Sequence, residues 1–328
     1  MMYNSIGEAE KRVRVKRETV MKIYPMKLKP YCRKTIWGGY RLASEFGKGE
    51  KGELIGETWE LSARDGASAV ITGGEYDGRT LSGLFNEFPD MVGKDYSASR
   101  FPLLIKFIDA ADDLSIQVHP DDAYASAFTD DSGKTEMWYI VDAAPDAEIV
   151  YGLKEKYDRN RFREALEGGR IESLLNRVKV KKGETYFIPS GMVHAICKGV
   201  LICEIQQNSD ITYRVYDYNR RQSDGTLRKL HVADALNVIK DCDRDVSGAH
   251  GDYLADCGFF RVRRLTDPDI SLTVGGDSFL SLICIDGGAV AGCEGGSCSM
   301  NKGDCVFIPA GAGSVSLKGA GTVLTAEI

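Results

Sequence analysis

From Met21 onward the chain is built of short apolar, β-branched and aromatic runs punctuated by Gly, Pro, Asn and Asp, the pattern of strands joined by turns. ETWELSA (57–63), PLLIKFIDA (102–110), MWYIVDA (137–143), AEIVYGL (147–153), TYFIP (185–189), VLICEIQQ (200–207) and ITYRVYDY (211–218) are the predicted strands. Helices are few. One is predicted near Leu81 to Phe88, one through RFREALEG (161–168) and one through HVADALNVIK (231–240), where Val232, Leu236 and Ile239 share a face at helical spacing. Residues 1–20 are rich in charge and carry no apolar stripe, so they are expected to form a disordered extension outside any core.

An internal repeat organises this pattern. KKGETYFIPSGMVH (181–194) overlays NKGDCVFIPAGAGS (301–314), with the shared frame K-G-E/D-x-x-F-I-P-x-G. Lys-Gly makes a tight turn into a strand, the strand ends at Pro, and the next Gly turns the chain back. Each copy then marks the same corner of a β-barrel. The expected fold is mainly β: a first barrel over 21–230 with a small helical segment, a helix and linker over 231–245 near the junction, and a second barrel over 246–328. In the overlay His194 falls on Ser314, so only the first barrel is expected to keep a metal ligand at the corner.

Composition changes this picture little. With 328 residues, 43% hydrophobic and 27% charged, the chain can bury one large core or two medium ones. A net charge of -6 leaves no electrostatic footprint for nucleic acid or an anionic membrane, so a phosphorylated ligand would need a local cationic pocket. No window approaches the ~18 apolar residues of a membrane span, and the start lacks a signal peptide's apolar run, so a cytoplasmic location is expected. Nine cysteines without a C-x-x-C pair read as reduced, packed thiols, Cys293 and Cys298 in their Gly-rich stretch included.

The chemistry concentrates in four residues. In S-I-Q-V-H-P (115–120), strand alternation puts Gln117 and His119 on one side, with Ile116 and Val118 on the other. Glu136 begins the next apolar run, and His194 follows the Pro-Gly corner. Two imidazoles, a carboxylate and an amide oxygen suit a borderline divalent cation with a position left open for water or substrate, and Fe²⁺, Mn²⁺, Co²⁺ and Ni²⁺ share that preference with Zn²⁺. The chain has only four histidines. The other two, His231 and His250, lie in polar helix-start and linker contexts and read as structural.

The motifs I-Q-V-H-P-D-D, G-K-T-E-M-W-Y, F-I-P-S-G-M-V-H-A and Q-Q-N-S-D-I-T-Y-R-V-Y-D-Y together resemble the type I mannose-6-phosphate isomerases of the cupin superfamily, in their short bacterial form. I-W-G-G (36–39) and G-E-T-W-E-L-S (56–62) are in the same style, and the resemblance runs from about Met21 to the C-terminus. It implies two cupin (jelly-roll) barrels, one zinc per chain held by Gln117, His119, Glu136 and His194, and a catalytic arginine at Arg214. Long-form members carry a large helical insertion, whereas here only 158–176 offers modest helix.

An aldose–ketose interconversion moves a proton between C1 and C2 through an enediolate, which needs a base and stabilisation of negative charge. Arg214 is always protonated, so its fork suits charge stabilisation. Lys134 sits two residues before Glu136, on the same side of an extended chain, and is the first candidate proton carrier. Glu204, inward in I-C-E-I-Q-Q, is the second candidate base, or else a carboxylate that orients a His or Lys. Lys106 and Lys134 are candidate phosphate donors, and Asp121 and Asp122 read as helix caps. With no glycine-rich nucleotide loop, hydride chemistry is not expected. A cupin oxygenase and a non-catalytic sugar-phosphate-binding module are the alternative readings; oligomeric state is not written in the residues.

Overall fold

The computed structural model describes residues 20–97, 99–222, 224–243 and 249–328. The expectation for residues 1–20 therefore lies, Val20 apart, outside the described residues. The fold is mainly β, in three antiparallel sheets. Six strands in the order Thr185–Ile188, Glu136–Ala143, Val200–Gln207, Leu103–Ala110, Glu57–Leu61 and Tyr31–Arg33 form one sheet. Tyr213–Tyr216, Ile116–Val118, His194–Ile196, Glu148–Leu153 and Leu175–Lys179 form a second, of five. All seven predicted strands are among them.

These two sheets pack face to face as a jelly roll, joined by a core that takes Ile108, Trp138, Ile140 and Ile202 from one and Ile149, Tyr151 and Ile196 from the other. They are open sheets facing one another, not a closed hydrogen-bonded barrel. The third sheet has nine strands and encloses its own core of Leu282, Cys284, Val306, Val315, Leu317 and Val323. Its two long strands, Leu280–Cys293 and Gly313–Glu327, pair along most of their length.

The six-stranded sheet is buried on both faces, which explains its near-continuous apolar runs. Along Val200–Gln207 every residue is buried. Leu201, Cys203 and Ile205 pack against Ile283, Phe307 and Leu324 of the nine-stranded sheet. Val200 and Ile202 face the other way, into the jelly roll, and strand periodicity carries Glu204 and Gln206 to that same side. Leu103–Ala110 and Glu136–Ala143 alternate likewise, which sends Lys106 and Glu136 inward. Polar residues in these strands are thus delivered to one end of one cavity.

The structure alters three expectations. First, the nine-stranded sheet is not made of 246–328 alone, because Met26–Lys29 pairs with Cys305–Ile308 (Met26 opposite Phe307) and Val70–Thr72 pairs with Met26–Lys29. Second, the helix Val232–Val238 is not at the junction: Ala235, Leu236 and Val238 pack on Ile116, Val118 and Tyr213, on the outer face of the five-stranded sheet. Third, the two repeat corners match through Gly183 and Gly303 (φ +89° and +90°) and Gly191 and Gly311 (φ +93° and +82°), but slip by one residue afterwards. Val315 and Leu317 point into the second core while Ser314 is exposed. The inward place of His194 is therefore taken by Val315, since a one-residue slip reverses every side chain of a strand. Either way, no imidazole stands there.

The helices Leu81–Glu87 and Arg159–Glu167 lie where the pattern put them. Asp121 caps Asp122–Phe128 as expected, its carboxylate accepting from the Tyr124 amide at 2.8 Å. Arg41–Phe46 was not foreseen.

Candidate functional site

Side-by-side strands of the five-stranded sheet line up the first group: Arg214 pairs with Gln117, and Gln117 with His194. Three functional side chains thus stand in one row across three strands. His119 follows Gln117 by two residues on the same face, and Glu136 comes from the facing sheet. His119, Glu136 and His194 are all buried, with their ligand atoms within 4.8 Å of one another. His194 Nε2 lies 3.1 Å from His119 Nε2 and 3.4 Å from Glu136 Oε1, and His119 Nε2 lies 3.6 Å from Glu136 Oε2.

The protonation pattern is set from behind. His119 Nδ1 donates to the Ile211 carbonyl at 2.7 Å and His194 Nδ1 to the Met192 carbonyl at 2.9 Å. Both rings therefore turn a bare Nε2 lone pair toward the same point, the arrangement that outer partners impose on metal-binding imidazoles. Burial, then the nearby Lys134 ammonium, holds His194 down to about 4 and His119 well below its usual value, so both stay neutral. Burial and then the Glu204 carboxylate push Glu136 up to about 7, against the pull of Lys134.

A divalent cation fits these residues on their own chemistry. Two lone pairs facing each other at 3.1 Å are repulsive without a cation between them, and Glu136 Oε1 is buried with no hydrogen-bond partner. The Lys134 ammonium supplies some positive charge, 2.5 Å from Glu136 Oε2 and 3.0 Å from His119 Nε2. It leaves Glu136 Oε1 and His194 Nε2 unmatched. An unpaired buried polar atom costs about 1–3 kcal/mol, so this is a poor end state for a structural core.

Next to these ligands opens a cavity of about 580 Å³, lined by Gln117, Lys134, Lys106, Glu204 and Arg214 among others. Its lining has seven cationic side chains against three acidic ones, in a chain whose net charge is -6. On the floor the cations are matched. Lys106 reaches Glu204 at 3.0 Å and Glu57 at 3.8 Å, lies over the Trp59 ring at 5.3 Å, and is held above the usual lysine range because these carboxylates overcome its burial. Burial alone would raise Glu204, but Lys106 and then Lys134 outweigh it and bring it to about 2. Trp138 donates to its other oxygen at 3.1 Å. Arg214 is different: its Nε is buried without a partner.

Of the residues singled out in the sequence, Gln117, Lys106, Lys134, Glu204 and Arg214 line this cavity, and His119 and Glu136, grouped with His194, lie against it through Lys134. His231 serves Arg214 structurally, accepting from its backbone amide at 3.3 Å, and His250 stacks on Tyr253. The cysteines are unpaired, as expected of reduced thiols. Sequence reading missed the cavity mouth, formed by Arg33, Lys34, Gln222, Arg228 and Lys229, and the wall formed by Ile36 and Trp37. The I-W-G-G motif held a signal for the wall: a Cβ on Gly38 would stand 2.5 Å from the Gly56 amide nitrogen, so only glycine lets the Trp37 turn close against its neighbour.

Residues 26–163 match the family "Phosphomannose isomerase type I, catalytic domain", and residues 252–327 match "Mannose-6-phosphate isomerase, cupin domain". The chain is 36% identical to a putative mannose-6-phosphate isomerase, YvyI, of Bacillus subtilis, over 93% of this chain and 99% of that protein. To the mannose-6-phosphate isomerase ManA of the same organism it is 37% identical, over 90% and 96%. The crystal structure of a mannose 6-phosphate isomerase from Bacillus subtilis superposes with a TM-score of 0.86 at 36% identity, covering 93% of this chain and all of that one.

Proposed function

From a chain that belongs to the type I mannose-6-phosphate isomerase family, we propose an enzyme that interconverts mannose 6-phosphate and fructose 6-phosphate at one zinc ion held by Gln117, His119, Glu136 and His194. The observation that carries this reading is the convergence of two bare Nε2 atoms and the orphaned Glu136 Oε1 beside a cationic cavity. A bound divalent ion would supply Lewis acidity toward the sugar oxygens, worth several kcal/mol to an enediolate-like transition state.

The remaining work falls to the chain's own groups. Arg214, with an unpartnered buried Nε, directs donors at the oxygen that gains charge as the C1–C2 proton leaves. Lys134 stands between the ligands and the open cavity, where in its amine form it takes the proton from one carbon as an ammonium and returns it to the other. Glu204, whose carboxyl Lys106 and then Lys134 hold below the usual carboxylate range, fixes these two lysines in place and stands as the second candidate base. Trp37, Leu114 and Ile196 keep one wall dry, which strengthens each of these interactions. We place the reaction in the cytoplasm; none of the described helices is long and apolar enough to cross a membrane.

The test is a coupled assay of mannose 6-phosphate conversion, with metal content measured on the same sample. Turnover that disappears with a chelator and returns with zinc is expected. Absence of turnover in metal-replete protein would overturn the assignment.

A further inference from the structure

The mouth of the cavity carries a charge arrangement that proton transfer does not use. Arg228 lines it, and its guanidinium is held by Asp217: Nε donates at 2.7 Å to one carboxylate oxygen, and Nη2 contacts the other. Asp217 is buried and also takes Arg220, at 2.6 Å. The turn that allows this double grip follows directly, with Tyr218 and Asn219 at φ +54° and +52°. Asp217 thus holds two guanidiniums, of which Arg220 also reaches Asp112 at 3.4 Å, so the Arg228 fork is fixed in place at the cavity lining.

From the facing sheet comes Arg33, which meets acids only at long range, Asp210 at 3.6 Å and Glu57 at 3.8 Å. Arg214 lines the same cavity. Burial first, then the charges of Arg228 and Arg33, disfavour its charged form despite Asp217 and Asp210 nearby, so both guanidiniums act on Arg214. Like charges assembled from a strand of each sheet and a connecting segment are unfavourable until an anion joins them. Planar guanidinium forks that line one cavity from different elements suit a tetrahedral dianion. The two lysines that sequence reading offered for this task, Lys106 and Lys134, are already matched to carboxylates on the floor.

We propose that Arg33 and Arg228 clamp the phosphate of the sugar phosphate across the cavity mouth, with Asp217 as the positioning residue that presents the Arg228 fork. This rests on the sugar-phosphate reading above. It also assigns the selectivity for phosphorylated over free sugar to the mouth, separate from the metal-binding floor.

The experiment pairs steady-state kinetics with calorimetric titration of inorganic phosphate into the zinc-loaded protein. Arg228→Gln and Arg33→Gln are each expected to raise KM and the phosphate Kd together, by about tenfold or more, with a smaller fall in kcat and unchanged zinc content. Arg228→Lys should recover part of the loss, since a point charge replaces the fork. Asp217→Asn should raise KM in step with Arg228→Gln, and the double variant should be no worse than Arg228→Gln alone; a merely structural Asp217 would instead give additive losses. Phosphate affinity unaltered in both arginine variants, with the wild type turning over, overturns the clamp and leaves the isomerase reading intact. Arg228-dependent phosphate binding in a wild type that shows no turnover supports the clamp and removes the isomerase reading.

Discussion

His194 contributes a neutral Nε2 only because the Met192 carbonyl holds its other ring nitrogen, and the same logic applies to His119 and Ile211. Removing either ring takes away one ligand and leaves the partner acceptors buried. His194→Ala is therefore expected to lose zinc and activity together, measured as metal per chain after gel filtration beside turnover. Full metal occupancy in that variant would remove His194 from the ligand set. Arg214→Ala belongs to the same scale but separates the two properties. It should keep its metal and lose about 10²–10³-fold in kcat, as when a donor to a developing oxyanion is deleted. A change in KM alone would show that Arg214 only binds.

At the scale of elements, the strand Glu57–Leu61 joins the cavity to the nine-stranded sheet. Its pairing with Leu103–Ala110 shifts register between Trp59 and Leu61, so Glu60 sits in a bulge. Glu57 and Trp59 face Lys106, while Thr58 and Glu60 turn the other way. Burial pushes the Glu60 carboxyl above the usual carboxylate range, and its carboxylate is satisfied by Thr58 at 2.7 Å and by the buried Lys48 at 2.9 Å. Lys48 also donates to the Gly303 carbonyl at 2.7 Å, which ties the bulge to the second repeat corner. Lys48→Met should lower the unfolding free energy by about 3–5 kcal/mol, since it strands a buried carboxylate, while Lys48→Met with Glu60→Met should regain most of it. Denaturant midpoints for the three proteins check this, and an equal loss in the double variant would count against it.

At the scale of the whole molecule, the cores are shared between distant parts of the chain. The largest buried cluster draws Met26, Leu28 and Ile71 together with Leu103, Ile205, Ile283, Phe307 and Leu324. Expressed alone, residues 246–328 would lack the Met26–Lys29 strand and expose the face that packs on Leu201, Cys203 and Ile205. That fragment is expected to aggregate or to unfold without a cooperative transition, in contrast to the full chain. A soluble fragment with a sharp thermal transition would show that the second jelly roll is an independent domain.

The residues alone determined a great deal. Short apolar, β-branched and aromatic runs bounded by turn residues gave the strands, because a sheet buried on both faces needs apolar side chains at nearly every position, and two of the four histidines stood at matching strand and corner positions. The Asp121 cap and the three predicted helices were equally local. What the residues could not decide was long-range. That Met26–Lys29 joins the far sheet, that the 231–240 helix covers an outer face, and that Val315 and not Ser314 holds the inward place all depend on register and packing between segments remote in sequence. So does the cavity mouth, where Arg33 and Arg228 lack any periodic or spacing signal. Only the tertiary fold brings them to one cavity, because a strand of one sheet and the segment that follows Tyr213–Tyr216 meet there through packing between parts of the chain remote in sequence.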